Sequence, residues 1–402
     1  MPNTTEVKRL KYIPALDGVR GIFCLLIITH HWIMPYLQGP FALLWWILQL
    51  FFVLSAYLIT KVLLYDKSRM GTKDLLKRFY VRRSLRIFPL YYLYTLLIGG
   101  LLLLAGTTEM GATKKDVIYF KENWFFLYTY TYNFAEIINY FRGIEIENII
   151  PAPLFSHLWS LSLEEQFYFV IPLIIAVSPM KYLRIGVLSL SIAAPVIRLV
   201  AYSVLQSIHP DENWLGLIAF RNTIFQMDSL AYGVAIAIFD VSKIKRAVLW
   251  VLLISSVWLS YTLISGYYIA QSGAAVNLWH AIKEYTFMTH HYNYTLLFTI
   301  ANMMCAFFVI TLVNDTAMAK LFSSKLTVFL GKLSYSMYVW HYFVMLIAAG
   351  ILHMFFGDLE KFFGNFIVEV GMFSFYVGLL ILVSYLSYRY FEVFFVKLKT
   401  KF

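Results

Sequence analysis

Apolar residues run along this chain in long blocks separated by short polar breaks. Ten blocks approach the roughly 20 residues that an α-helix needs to cross the ~30 Å hydrocarbon layer of a bilayer. They run from Gly18 to Met34, Phe41 to Leu64, Ile87 to Ala105, Leu158 to Val177, Gly186 to Leu205, Thr223 to Phe239, Val248 to Ile264, Tyr292 to Leu312, Ser334 to Leu352 and Phe366 to Leu386. In lipid a chain must satisfy its own backbone N–H and C=O groups, and runs of this length do so as helices. The pattern predicts an all-α fold, a polytopic transmembrane bundle of about ten helices, read as a single domain over residues 1–402. One segment breaks the rhythm. Thr107 to Ser156 is polar and aromatic, carries Glu109, Glu122, Glu136, Glu145 and Glu147, and is too long for a simple turn. It is expected as an extracytoplasmic loop, either a cap over the outer face or a passive connection.

Composition agrees with lipid as the solvent. The chain is 60% hydrophobic and only 14% charged, against roughly a quarter charged in soluble domains. The formal net charge of +11 could suggest nucleic acid, but its placement argues otherwise. With the N-terminus inside, 25 of the 33 Lys and Arg fall in cytoplasmic segments. That asymmetry predicts both termini in the cytoplasm and accounts for the basic balance without nucleic acid. The first span follows a basic start without a small-residue cleavage site and reads as an uncleaved helix. Cys24 and Cys305 lie in apolar runs, and no zinc spacing, phosphate-binding glycine loop or His-Glu-x-x-His helix occurs. No metal is implied.

Ionisable residues inside spans are costly in lipid and become functional candidates. The first span has Asp17, Arg20, His30 and His31. Arg20 and His31 are eleven residues apart, about three helical turns, so they share a face and stand roughly 16 Å apart along the axis. Asp17 lies near that face and His30 points elsewhere. A histidine of near-neutral pKa suits general-base work, although a hydrogen bond to a neighbouring helix would explain it equally. Arg83 and Arg86 share a face where the third span begins, and two guanidiniums there could grip phosphates. Any cytoplasmic loop tends to be basic, so a solvated face is the plainer alternative. The fourth span opens His157-Leu158-Trp159-Ser160-Leu161-Ser162-Leu163-Glu164-Glu165. Its paired carboxylates could move a proton or orient a hydroxyl, or one could pair with an intramembrane arginine such as Arg198. Asp228 in the sixth span, His341 in the ninth and Glu369 near the outer start of the tenth complete the set, each alone more often structural than catalytic. A glycan or small-molecule exporter, or a scaffold, could use the same buried Arg, Glu and His.

Together these segments resemble the acyltransferase-3 family of integral membrane acyltransferases. Ile13-Pro14-Ala15-Leu16-Asp17-Gly18-Val19-Arg20-Gly21 is similar to that family's opening motif, and His31 stands where its histidine follows. Phe51-Phe52-Val53-Leu54-Ser55-Ala56-Tyr57 resembles its second-span motif, with Ala56 where Gly is usual. The Arg83–Arg86 pair, Trp159-Ser160-Leu161-Ser162 with Glu164-Glu165-Gln166, and Ser334 to His341 match in order. Asp228-Ser229-Leu230 looks like the family's Arg-x-Asp segment, but Gln226 stands in the arginine's place. The resemblance implies transfer of an acyl group, acetyl by default, from cytoplasmic acyl-CoA to a hydroxyl of a cell-surface glycan or its lipid-linked precursor, in a bacterial cytoplasmic membrane. It implies Arg20, Arg83 and Arg86 at the donor phosphates and His31 as base. Glu164, Glu165 and His341 are expected to line the acceptor half. Asp17, His30, Ser55, Trp159, Arg198 and Asp228 take supporting roles. The extracytoplasmic esterase-like domain of some relatives does not follow, so the stand-alone form is expected.

Overall fold

In the computed structural model the apolar blocks are helices, and no strand occurs among the described residues. The structure describes residues 12–33, 44, 46–105, 111–142, 153–208, 220–273, 278, 291–357 and 366–399. The principal helices are α1 (Pro14–Ile33), α2 (Ile47–Lys67), α3 (Thr72–Ala105), α4 (Gly111–Tyr128), α5 (Tyr132–Phe141) and α6 (Leu158–Val177). They continue with α7 (Met180–Ile208), α8 (Met227–Ile238), α9 (Ala247–Gln271), α10 (His291–Asn314), α11 (Lys325–Phe356) and α12 (Phe366–Leu386). Among the described residues eight helices are long and apolar enough to cross a membrane. The other two expected spans are α1, whose apolar run is broken by Asp17, Arg20, His30 and His31, and the short apolar helix Thr223–Ile238.

Two compact units divide the chain. The first takes Met1–Val19, Gln38–Tyr80 and Leu163–Val328. Its hub is α8, which packs on α2, α7 and α10. Ser229, Ala231, Gly233 and Ala237 are buried there, and small side chains let helix backbones meet where lipid offers no hydrophobic drive. A Cβ at Gly233 would stand 2.2 Å from the Val53 carbonyl oxygen and 2.6 Å from the Ala56 Cβ. The shortest span is thus packed directly against a neighbouring backbone. By contrast only 17% of the apolar window of α9 is buried, leaving Leu252, Leu253 and Val257 for lipid.

The second unit takes Arg20–Leu37, Val81–Ser162 and Phe329–Phe402. Here α1 crosses α11 at glycine: a Cβ on Gly21 would lie 2.5 Å from the Gly331 nitrogen. Two helices, Gly111–Tyr128 and Tyr132–Phe141, occupy part of the segment expected as a loop. Helix α4 runs back along α3, since Phe120 fills the space beside Gly99 and the Tyr91 hydroxyl donates to the Leu127 carbonyl at 2.8 Å. Asn139 of α5 then donates to Asn123 of α4 at 2.9 Å, closing a helical hairpin. Of the acidic residues read there, Glu109, Glu145, Glu147 and the side chain of Glu136 lie outside the described residues. At the hairpin tip the Thr131 N–H returns to the Phe126 carbonyl and the Tyr130 N–H to Leu127, which is the Schellman ending of a helix. Glycine usually takes the left-handed position; here Tyr130 does, at φ 54°. Its ring is stacked 4.3 Å from Tyr91 and 5.4 Å from Phe88.

Candidate active site

The second unit gathers histidines from three parts of the chain. His31 sits in the last turn of α1, His157 just before α6 and His341 within α11. His31 Nδ1 and His341 Nε2 face each other at 2.9 Å, with ring centroids 5.0 Å apart. His157 packs edge-on against His341 at 4.7 Å, and Tyr342 lies 5.1 Å from His31. His157 and His341 are fully buried, whereas His31 is half-buried at the open side of the group. His30 neighbours His31, with ring centroids 5.9 Å apart. The group is tied in place by backbone carbonyls: His341 Nδ1 lies 2.5 Å from the Tyr338 oxygen and His157 Nε2 3.1 Å from the Val339 oxygen. Ser160 of the fourth-span motif meets the Tyr338 hydroxyl at 2.6 Å, and Trp159 beside it is buried. His341 was expected to line an outer acceptor half; the structure joins it to His31 directly.

Arg20 lies on α1 eleven residues before His31, half-buried. Arg83 and Arg86 are half-buried on α3, near the end of the last helix. Helix α12 does not stop where its apolar run ends. A π-helical turn, Ser387–Glu392, carries it on to Leu398, and such turns accumulate at functional sites. The turn buries Glu392, whose carboxylate accepts from Ser336 at 2.5 Å and Ser387 at 3.1 Å and lies within reach of the Arg86 charge. Beyond it, Lys399 has its ammonium pushed down to about 8, by burial first and then by Arg86, Arg82 and Arg83. Four cations thus converge in this unit. Sequence reasoning left Glu392 and Lys399 in the cytoplasmic tail, because they follow Leu386, where the last predicted span ends.

The first unit holds a separate polar group. Ser55 of α2 donates to Glu164 Oε1 at 3.0 Å and Tyr168 to Oε2 at 2.8 Å, so one carboxylate is oriented by two hydroxyls. Glu165 is half-buried beside it in sequence, and Gln166 accepts from Thr223 at 2.5 Å. Asp17 belongs to this unit and accepts from Tyr12 at 2.6 Å. The suggestion that Arg198 pairs with a fourth-span glutamate is corrected. Its partner is Asp228, held bidentately at 2.8 and 3.1 Å, with both side chains fully buried. Thr299 and the Phe225 carbonyl take two more of its hydrogen bonds, at 2.9 and 2.5 Å, and the Phe298 ring lies 5.6 Å away. Among the described residues no group of three His, Cys, Asp or Glu is placed to hold a metal.

What these arrangements offer is a histidine pair in an apolar interior, a cationic cluster in the same unit and an oriented carboxylate in the other. Comparison with known proteins gives the context. A protein of Staphylococcus aureus strain COL with a provisional O-acetyltransferase name is 28% identical over 399 residues, covering 96% of this chain and 58% of that protein. The O-acetyltransferase OatA of S. aureus strain NCTC 8325 is 27% identical over 351 residues, covering 85% of this chain and 53% of its own length. The chain thus spans little more than half the length of the curated relatives it matches. No solved structure matches it. The profile of the acyltransferase domain family, however, matches residues 13–389. That range takes in α1 with His31, the α3 arginines, α11 with His341 and the paired Arg198 and Asp228, so over nearly the whole of its sequence this chain belongs to the acyltransferase family.

Proposed function

We propose that this protein is a membrane O-acetyltransferase that moves an acetyl group from cytoplasmic acetyl-CoA to a hydroxyl of a cell-surface glycan or its lipid-linked precursor. The observation that carries the reading is the His31–His341 pair, set in one unit with Arg20, Arg83 and Arg86. A thioester donor needs cations for its phosphates and a base for the incoming hydroxyl. The α3 arginines, with Arg20 and the Lys399 ammonium, serve the donor phosphates. His31 takes the acceptor hydroxyl's proton as that oxygen attacks the thioester carbonyl. The tetrahedral intermediate then collapses, the C–S bond breaks, and the CoA thiolate leaves and recovers the proton from His31. In the first unit Glu164, oriented by Ser55 and Tyr168, offers a carboxylate suited to hydrogen-bonding hydroxyl groups, with Glu165 next to it in sequence. The names carried by the two S. aureus relatives support acetyl as the group transferred.

The test is release of free CoA from radiolabelled acetyl-CoA by purified, detergent-solubilised protein, with and without a glycan mixture. His31→Ala should lower turnover by about 10²–10⁴-fold, the range of a lost general base, while His30→Ala stays active. Full activity in His31→Ala would overturn the assignment. If donor is neither bound nor consumed by folded wild-type protein, the acetyl-transfer reading goes with it.

A further inference from the structure

We infer that His341 is the positioning residue for His31, holding its ring in the Nδ1-protonated tautomer so that Nε2 is the nitrogen that accepts the proton. The inference rests on the general-base reading of His31 and follows from hydrogen-bond chemistry alone. A backbone carbonyl oxygen only accepts, so the 2.5 Å contact between His341 Nδ1 and the Tyr338 oxygen puts a proton on Nδ1. His341 is fully buried, and among the described residues its partners are His31, His157, Tyr338, Tyr342 and Tyr376, with no carboxylate among them. A cation there would have no counter-ion, so the resting ring is neutral. A neutral ring protonated on Nδ1 has its lone pair on Nε2. The 2.9 Å contact from His341 Nε2 to His31 Nδ1 then has one polarity: His31 donates and His341 accepts. A neutral His31 with a proton on Nδ1 is basic at Nε2.

When Nε2 takes the acceptor hydroxyl's proton, His31 becomes an imidazolium whose Nδ1–H still points at the His341 lone pair. The charge arises where an acceptor already waits, and no group turns to meet it. His341 thereby does for His31 what a buried carboxylate does for the histidine of a Ser-His-Asp triad, but as a neutral ring. The orienting partner is itself fixed, through the Tyr338 carbonyl of its own helix. The Tyr338 side chain is pinned in turn, meeting Ser160 at 2.6 Å and donating to the His157 carbonyl at 3.1 Å.

The test compares His341→Leu, which removes the acceptor, with His341→Gln, which keeps an amide oxygen near the position of Nε2. Losing the orienting partner of a catalytic histidine costs up to about 10⁴-fold. His341→Leu should lower kcat by at least about 10²-fold, with the apparent KM for acetyl-CoA changed less than about twofold. His341→Gln should recover most of that loss. In the His31→Ala background His341→Leu should cost nothing further, because residues acting as one unit are not additive. A His341→Leu enzyme with wild-type kcat, alongside an inactive His31→Ala enzyme, would overturn the inference and leave the general-base reading standing. An active His31→Ala enzyme would sink that reading itself. Should both His341 variants fail to fold, nitrogen-15 NMR of histidine-labelled wild type decides: a protonated His31 Nδ1 supports the inference, and a proton on Nε2 alone refutes it.

Discussion

The Arg198–Asp228 pair allows a quantitative prediction. Arg198 is fully buried and its guanidinium donates four hydrogen bonds, two of them to Asp228. Asp228→Leu removes the only formal negative charge in that set and leaves a cation facing two neutral oxygens. Breaking a buried pair from one side costs about 3–5 kcal/mol, and Arg198→Met, which strands the carboxylate, should cost a similar amount. Three kcal/mol is roughly a 150-fold change in the folded-to-unfolded ratio. Replacing both partners with hydrophobes of similar volume, Arg198→Met with Asp228→Leu, strands nothing and is often near neutral. The two single losses would sum to about 6–10 kcal/mol, so the double variant should lose several kcal/mol less than that sum. Equilibrium unfolding in mixed micelles, run on all four proteins, measures the coupling directly. If both single variants lie within about 1 kcal/mol of wild type, or the double variant equals their sum, the pair is not the clamp that the geometry describes.

Two further perturbations probe the helix contacts and the donor end. Gly233→Ala places a Cβ 2.2 Å from the Val53 oxygen and 2.6 Å from Ala56; overpacking of this kind costs about 1–3 kcal/mol. Thermal unfolding should show that loss, and Ala56→Gly should restore part of it, since the clash with the Val53 backbone remains. Lys399 holds its proton only up to about pH 8, so it is cationic at neutral pH and loses its charge as pH rises through 8. The apparent KM for acetyl-CoA should therefore climb above pH 8 in wild type and stay flat across that interval in Lys399→Arg. A flat wild-type profile would remove Lys399 from the donor site.

Much of this was legible in the sequence, and the parts that were not have physical reasons. The apolar blocks found the helices: the block from Leu158 to Val177 is α6 end to end. Polar extensions were invisible to that reading. Helix α3 begins at Thr72, not Ile87, because the stretch before the block is helical but charged. The end of the chain hid Glu392 in the same way, since its helix outlasts its hydrophobicity through a π-helical turn. Individual site residues could be named from their cost in lipid, but not their partners. His31 and His341 are 310 residues apart, and nothing local in either motif announces the other. Arg198 and Asp228 were both named as intramembrane charges, but they stand 30 residues apart on different helices, and only the fold says that they pair.

The Tyr130 turn bears on how the protein is made. A tyrosine in the left-handed region costs about 1–2 kcal/mol, so the sequence at the hairpin tip does not favour the bend by itself. Its seat, Phe88 and Tyr91 on α3, lies roughly forty residues earlier. At 5–20 residues per second those residues leave the ribosome roughly 2–8 s before the tip is synthesised. The hairpin arrives at a surface already waiting, and the bend is imposed by that surface. A change on α3 would then surface as misfolding of α4 and α5, so biogenesis defects should map to residues upstream of the segment that fails to settle.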